Sequence, residues 1–219
     1  MNEQRLFELL RQQPPSTLLH LLQQAYRHLT VAQRETVFYA LYKRAPAATV
    51  NAQELQQRIS SFCTDSLAGK YYAEFEWNSK NYTHVPEETE QWFDLLNDLL
   101  ADSTQLSAQG EHAIAVEYFG LLYDLIEQME EGDEIVFAHE LGMWMLPGDE
   151  KPYLAAYVTS LATVSTPEEF PATVVPLIQR DSPPFTKQVY DAALRVANKE
   201  QRAALKAAVK RLKLRTTIK

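Results

Sequence analysis

The chain has 219 residues, of which 46% are hydrophobic and 23% are charged, the balance of a soluble globular protein. No apolar run reaches the roughly 18–20 residues that a membrane-spanning helix needs, and the N-terminus lacks the apolar core of a secretory signal. The single cysteine, Cys63, excludes an internal disulfide, so we expect a cytoplasmic protein.

The formal net charge of −8 conceals a gradient along the chain. Residues 1–73 carry a net +3, whereas residues 74–150 carry one lysine against nineteen carboxylates, or −18. Residues 151–186 carry −1 and residues 187–219 carry +8. Because phosphates are repelled by so acidic a body, the composition argues against a general nucleic-acid-binding protein, except through the C-terminal tail.

Almost every segment is predicted to be helical, because glycine is scarce and leucine and alanine recur at helical spacing. Helix starts are marked by capping boxes, in which an N-cap side chain is followed three residues later by Glu or Gln: Thr30 with Gln33, Asn51 with Glu54, Thr166 with Glu169, and Asn198 with Gln201. We predict helices at about 2–13, 16–29, 31–44, 51–68, 87–103, 108–131, 133–141, 150–163, 167–179, 186–197 and 199–214.

Residues 68–88 are the exception, since they hold five aromatic residues and no helix signal before Pro86. We expect a structured loop packed on helices rather than a strand. This loop suggests three parts within one continuous helical unit: an N-terminal helical part (1–70), an aromatic-rich joint (71–86) and a C-terminal helical part (87–219).

A helical hairpin is predicted at residues 96–129. Gly110, Ala115, Phe119 and Leu122 match the small-turn, small, aromatic and apolar positions of a tetratricopeptide-type second helix, and Ser103 and Leu106 are compatible with the first. The hairpin therefore resembles a tetratricopeptide repeat, although the early tryptophan is absent and Glu127 stands where that family has a proline. The resemblance implies an all-α fold of about ten helices stacked as antiparallel hairpins, an α-solenoid with a tetratricopeptide- or HEAT-like right-handed array, whose usual role is binding other proteins.

The acidic stretch from residue 123 to 151 is interpreted mainly as helix ends that face water. Gly132-Asp133 and Gly148-Asp149 each have the pattern of a helix end followed by the next N-cap. The alternative is a divalent-metal-dependent enzyme or regulator in which Glu127, Glu131, His139 and Glu140 bind the ion. The sequence His139-Glu-Leu-Gly-Met has only the first half of a His-Glu-x-x-His zinc motif.

Other chemistry has little support in the sequence. Phosphate-binding glycine loops and the nucleophile elbow are absent, and Cys63 is expected to be a small buried hydrophobe. The basic helix at 199–215 is expected to close the helical stack with its cations in solvent. A weak nucleic-acid or anionic-membrane surface is the alternative for that helix.

The favoured function is a non-enzymatic protein–protein interaction or scaffold module that uses no cofactor. Its partner is expected to be a basic or amphipathic segment of a protein or peptide that binds the acidic region between residues 74 and 150. The aromatic residues proposed for this contact are Tyr71, Tyr72, Trp77, Tyr82 and Trp92. The competing interpretation is that these aromatics form the core between the two helical parts. The oligomeric state stays open.

Overall fold

All regular structure that can be described in this chain is helical. A computed structural model describes residues 3–27, 29, 33–34, 36–38, 49–73, 85–137, 142–143, 145–179 and 183–214. Within these ranges there is no strand, which confirms the all-α prediction. Two compact units are present, Met1–Pro46 and Ala47–Lys219.

The smaller unit contains α1 (Glu3–Arg11) and α2 (Pro15–Arg27). Pro15 is the first residue of α2, where a missing N–H costs no hydrogen bond. Near the end of α2 the Tyr26 ring lies 5.6 Å from that of Phe38, and the Arg34 guanidinium lies 4.6 Å above the Tyr26 ring.

The larger unit contains seven further helices among its described residues. They are α3 (Ala52–Leu67), α4 (Glu87–Ala108), α5 (His112–Glu131), α6 (Lys151–Val164), α7 (Glu169–Gln179), α8 (Pro183–Val196) and α9 (Lys199–Arg211). The boundary between the two units falls after Pro46, so α3 lies in the larger unit. The predicted division into parts at 1–70, 71–86 and 87–219 stays a prediction.

The α4–α5 hairpin forms the centre of the larger unit. The two helices join at Gly110, which takes a left-handed φ of 90° that suits glycine. Helix α3 packs on both members of the hairpin, and α6 packs on both as well. The ring of Tyr157 on α6 stacks on Phe119 at 5.1 Å and on Tyr123 at 5.6 Å, which fixes α6 against α5.

The remaining helices continue from α6. Helix α8 packs on α6 and α7, and α9 packs on α7. The capping pairs at these junctions are present as predicted: Thr166 and Glu169 exchange two hydrogen bonds, and so do Asn198 and Gln201. Asn51 accepts a bond from the Glu54 amide at 3.1 Å, whereas the Thr30–Gln33 pair lies outside the described residues because of Thr30.

Several predicted helix boundaries were wrong. The helix predicted at 133–141 is a series of turns over residues 133–137, and residues 138–141 lie outside the description. Gly132 ends α5 with a φ of 99°, and the Asp133 amide turns back to the Gln128 carbonyl at 3.2 Å. Burial of Ile135 and Val136 holds these turns against the core.

Two other helix boundaries differ from the predicted ones. The break predicted at 104–107 is absent, since α4 continues to Ala108. Pro183 and Pro184 open α8 instead of preceding it, because the first helical turn needs no amide donor. In the aromatic joint, residues 71–73 and 85–86 are described and form turns and irregular backbone.

Candidate functional site

A groove of about 330 Å³ runs between α3 and α4. Helix α3 buries Leu55, Ile59 and Phe62, spaced three to four residues apart, against the hairpin. The polar side of α3 therefore forms one wall, and the first half of α4 forms the other. The lining residues are Glu54, Gln57, Arg58, Ser61, Phe62, Asp65, Tyr71, Leu95 and Leu99.

The floor of the groove is aromatic and apolar. The Phe62 ring lies 5.9 Å from the Tyr71 ring and 5.5 Å from the Trp92 ring. Leu99 is 3% exposed, and Leu95 is half-buried at the edge. The floor is thus the outer layer of the hydrophobic core, and Leu95 is its most accessible apolar side chain.

Trp92 is a core residue. Its side chain is fully buried, and its Nε1–H donates to Ser66 Oγ at 2.8 Å. The Ser66 hydroxyl in turn donates to the Phe62 carbonyl at 2.7 Å. This chain of bonds satisfies the indole and ties α4 to α3, so Trp92 supports the groove from beneath rather than lining it.

The other aromatic residues proposed for partner binding have different positions. Tyr71 is 5% exposed and lines the groove, and burial raises the pKa of its hydroxyl. Tyr72 is half-buried, with its ring 6.1 Å from Phe137. Trp77 and Tyr82 lie outside the described residues. Partner binding by these five aromatics stays a prediction.

Two ion pairs lie on the rim of the groove. Arg58 of α3 reaches Asp102 of α4 at 2.5 Å, and Lys70 reaches Asp65 at 2.5 Å. The hydrogen bond and charge of Asp65 raise the pKa of Lys70. The side chains of Arg58 and Asp102 are 45% and 32% exposed. Such surface pairs contribute about 0–1 kcal/mol, so a ligand can displace them easily.

Beyond the rim, α4 presents a row of carboxylates. Glu87, Glu90, Asp94, Asp98 and Asp102 follow one another at helical spacing on α4, and each is exposed or half-buried. Residues 85–137 contain fourteen carboxylates and no lysine or arginine, and all fourteen are exposed or half-buried. The acidic region therefore faces solvent along the α4–α5 hairpin, which creates a negative field over this face.

The residues of the alternative metal site are only partly described. Glu127 and Glu131 are exposed on the last turns of α5, one turn apart. His139 and Glu140 lie outside the described residues. Where side chains are described, no three His, Cys, Asp or Glu groups come together to hold a metal ion. The metal site stays a prediction.

A buried serine–histidine network escaped the sequence analysis. The Ser160 hydroxyl donates to Ser107 Oγ at 2.8 Å, and the Ser107 hydroxyl donates to the Ala156 carbonyl at 3.4 Å. His112 Nδ1 lies 3.2 Å from Ser160 Oγ and, because that serine proton is already donated, acts as the donor. Ser160 is fully buried, so this network joins the hairpin turn to α6 and is no catalytic dyad.

Cys63 is half-buried on α3. Burial raises the pKa of its thiol, and the charge of Asp124 raises it further. A raised pKa lowers the thiolate fraction at neutral pH, which disfavours nucleophilic chemistry at this position.

The basic helix α9 has two distinct sides. Leu205 and Val209 are buried against the protein. Exposed cations flank this buried side: Lys199, Arg202, Lys206 and Lys210, with Arg211 at the helix end and Lys213 just beyond it. Across the described ranges, no helix combines the length and apolar character needed to cross a membrane.

The comparisons with known proteins add no family. Neither the family models nor the curated proteins nor the solved structures contain a match to this chain.

Proposed function

We propose that the protein is a non-enzymatic interaction or scaffold module that binds a basic, amphipathic segment of a partner protein along the α3–α4 groove. In this proposal the helices act as a tetratricopeptide-like stack that displays the groove. The observation that carries the proposal is the composition of the groove, which combines an apolar floor with the carboxylates of Glu54 and Asp65 on α3 and, through the Arg58–Asp102 ion pair, adjoins the carboxylate row of α4.

The floor supplies the contact for an apolar side chain. Leu95 and Tyr71 line a space large enough for one leucine or phenylalanine side chain. Burying such a side chain contributes roughly 1.5–3 kcal/mol. A single anchor of this kind supports weak, reversible binding, which is typical of a peptide-recognition module.

The carboxylates supply selectivity for a basic partner. Asp94 and Asp98 lie beside Leu95 and Leu99 on α4, so cations that flank an apolar anchor would meet them. Opposite charges raise the rate of encounter, and like charges exclude acidic segments. The Arg58–Asp102 pair on the rim can exchange Arg58 for a cation of the partner at little cost.

The test uses a fluorescein-labelled helical peptide built from leucine and lysine, with a leucine–glutamate peptide of the same length as control. Fluorescence anisotropy should show saturable binding of the basic peptide only. A Ser61→Trp variant fills the groove and should weaken binding about tenfold, the effect of losing one anchor. Ser60→Trp is the matched control, because Ser60 is exposed on the same helix but does not line the groove.

Charge is tested separately from shape. Asp94→Asn with Asp98→Asn should weaken binding and flatten its salt dependence. Glu117→Gln with Glu127→Gln removes the same charge from the exposed side of α5 and should leave affinity unchanged. If the two double variants weaken peptide binding equally, only the net charge of the protein determines affinity. The groove would then not be the binding site.

The aromatic part of the prediction needs its own variant. Trp77→Ala with Tyr82→Ala should weaken peptide binding if the aromatic joint contributes contact area. Unchanged affinity in this double variant would remove these two residues from the binding surface while leaving the groove in place.

A further inference from the structure

Four of the five cations of α9 form a single row, and Lys213 follows just beyond the helix. Lys199, Arg202, Lys206 and Lys210 are separated by three, four and four residues, and Lys213 follows after three more. All five side chains are exposed. The row lies beside the side of the helix that is anchored by Leu205 and Val209, roughly a quarter to a third of a turn around the helix.

The carboxylate row of α4 has the same spacing. Glu87, Glu90, Asp94 and Asp98 are also separated by three, four and four residues, with Asp102 four residues further on. At 1.5 Å per residue the four helical positions of each row, Lys199 to Lys210 and Glu87 to Asp98, span roughly 16–17 Å.

We infer that α4 of one copy binds α9 of a second copy, so that the protein self-associates through two equivalent contacts. The inference rests on the proposed function, since it gives the acidic side of α4 a partner of stated chemistry. The two complementary rows lie on one chain, so each copy offers both halves of the contact. A two-fold arrangement uses both rows of both copies and closes on itself.

A second copy fits the α9 row better than a nucleic acid does. A nucleic acid on α9 would meet a chain with a net charge of −8. A second copy instead places the most acidic region of one molecule against the most basic region of the other, which lowers the repulsion at both surfaces. Such a contact between exposed charges weakens as salt screens it.

The first measurement is sedimentation equilibrium of the full chain at low and high salt. Reversible association is expected at about 50 mM salt, with a dissociation constant at least about tenfold higher at 500 mM salt. A chain that stays monomeric at about 200 μM protein and low salt overturns the inference.

Charge reversal identifies the surfaces. Asp94→Lys with Asp98→Lys reverses two charges in the middle of the α4 row, and Lys206→Glu with Lys210→Glu reverses two charges of the α9 row. Each variant alone should lose association, because both of its contacts now join like charges at the two reversed positions. The helix-start residues Glu87 and Glu90 stay unchanged, and so does Arg202, which donates to the Ala197 carbonyl at 3.0 Å.

Mixing the two reversed variants is the decisive step. In a mixed dimer the acidic α4 meets the basic α9, and the reversed α9 meets the reversed α4, so both contacts become attractive again. The mixture should form a one-to-one dimer with an affinity within about threefold of the wild type. Association that persists in either single variant, or a mixture that stays monomeric, overturns the inference.

Two controls keep the result interpretable. Circular dichroism must show the wild-type helix signal; a variant that loses it is replaced by Asp94→Asn with Asp98→Asn or by Lys206→Gln with Lys210→Gln, which should weaken association less strongly.

A wild-type monomer that still binds the leucine–lysine peptide leaves the proposed function standing and removes only self-association. A monomer that binds single-stranded DNA through Lys206 and Lys210 overturns the inference in favour of nucleic-acid binding.

Discussion

Gln201 of α9 donates a hydrogen bond from its side-chain amide to the Ser165 carbonyl at 2.9 Å, just beyond the end of α6. The same nitrogen donates to the Ala162 carbonyl at 2.9 Å, while the side-chain oxygen accepts from the Asn198 amide at 3.0 Å. One buried side chain therefore caps the start of α9 and the end of α6 together.

Replacing Gln201 should destabilise the larger unit. Gln201→Met keeps the side-chain volume but leaves two carbonyls and one amide without their partner, at a cost of about 2–3 kcal/mol. Urea denaturation followed by circular dichroism measures this change. Ala203→Gln, at an exposed position of the same helix, should alter stability by less than about 0.5 kcal/mol. Equal stability of the two variants would contradict the double-capping role.

The Ser66–Trp92 bond should matter for stability and not for partner affinity. Ser66→Ala leaves the buried indole N–H without an acceptor and should cost about 1–3 kcal/mol. Ser61→Ala, an exposed serine on the same helix, is the control and should cost far less. Thermal melting measures both, and peptide anisotropy below the transition should give wild-type affinity for Ser66→Ala. A loss of affinity without a loss of stability would place Trp92 in the binding surface.

Stability should fall at alkaline pH because of Tyr157. Burial, assisted by the charge of Asp124, raises the pKa of Tyr157 to about 12. Unfolding lets this hydroxyl ionise near its ordinary pKa of about 10, so the unfolded chain binds fewer protons between pH 10 and 12. The stability that the protonated Tyr157 hydroxyl contributes is fully present below about pH 10, and it is lost as the pH rises towards about 12.

The Tyr157→Phe variant tests this assignment. Urea denaturation between pH 9 and 11 measures the free energy of unfolding. This free energy should fall less steeply with pH for the variant, by up to about 1.4 kcal/mol per pH unit. Parallel slopes for the two proteins would mean that other groups cause the decline. Burial also raises the pKa values of Tyr71, Tyr118 and Tyr153, which remain in both proteins and contribute to the residual slope.

The metal hypothesis is tested by calorimetric titration with manganese, zinc and magnesium. We expect heats equal to those of dilution, because Glu127 and Glu131 are exposed and each is well solvated. A saturable heat that disappears in Glu127→Gln with Glu131→Gln would instead establish a divalent site at the end of α5. A heat that persists in this variant would place the ion elsewhere.

Local signals in the sequence predicted the helices well. Asn198 and Gln201, Thr166 and Glu169, and Gly132 mark helix ends through bonds within a few residues, so their pattern is visible in the chain itself. The predictions failed where burial at a distance outweighs local preference. Residues 133–137 are helix-like in composition, but Ile135 and Val136 are held in turns by the core.

The sequence by itself determined that this chain is helical, where most of its helices begin and that its charge is divided between an acidic middle and a basic end. Only the tertiary structure decided which side chains share a surface. Ser160 lies 48 residues from His112, and Asp102 lies 44 residues from Arg58. Neither pairing therefore produces a periodic pattern in the sequence. The physical reason is that helix formation depends on neighbours along the chain, whereas a groove depends on how separate helices pack.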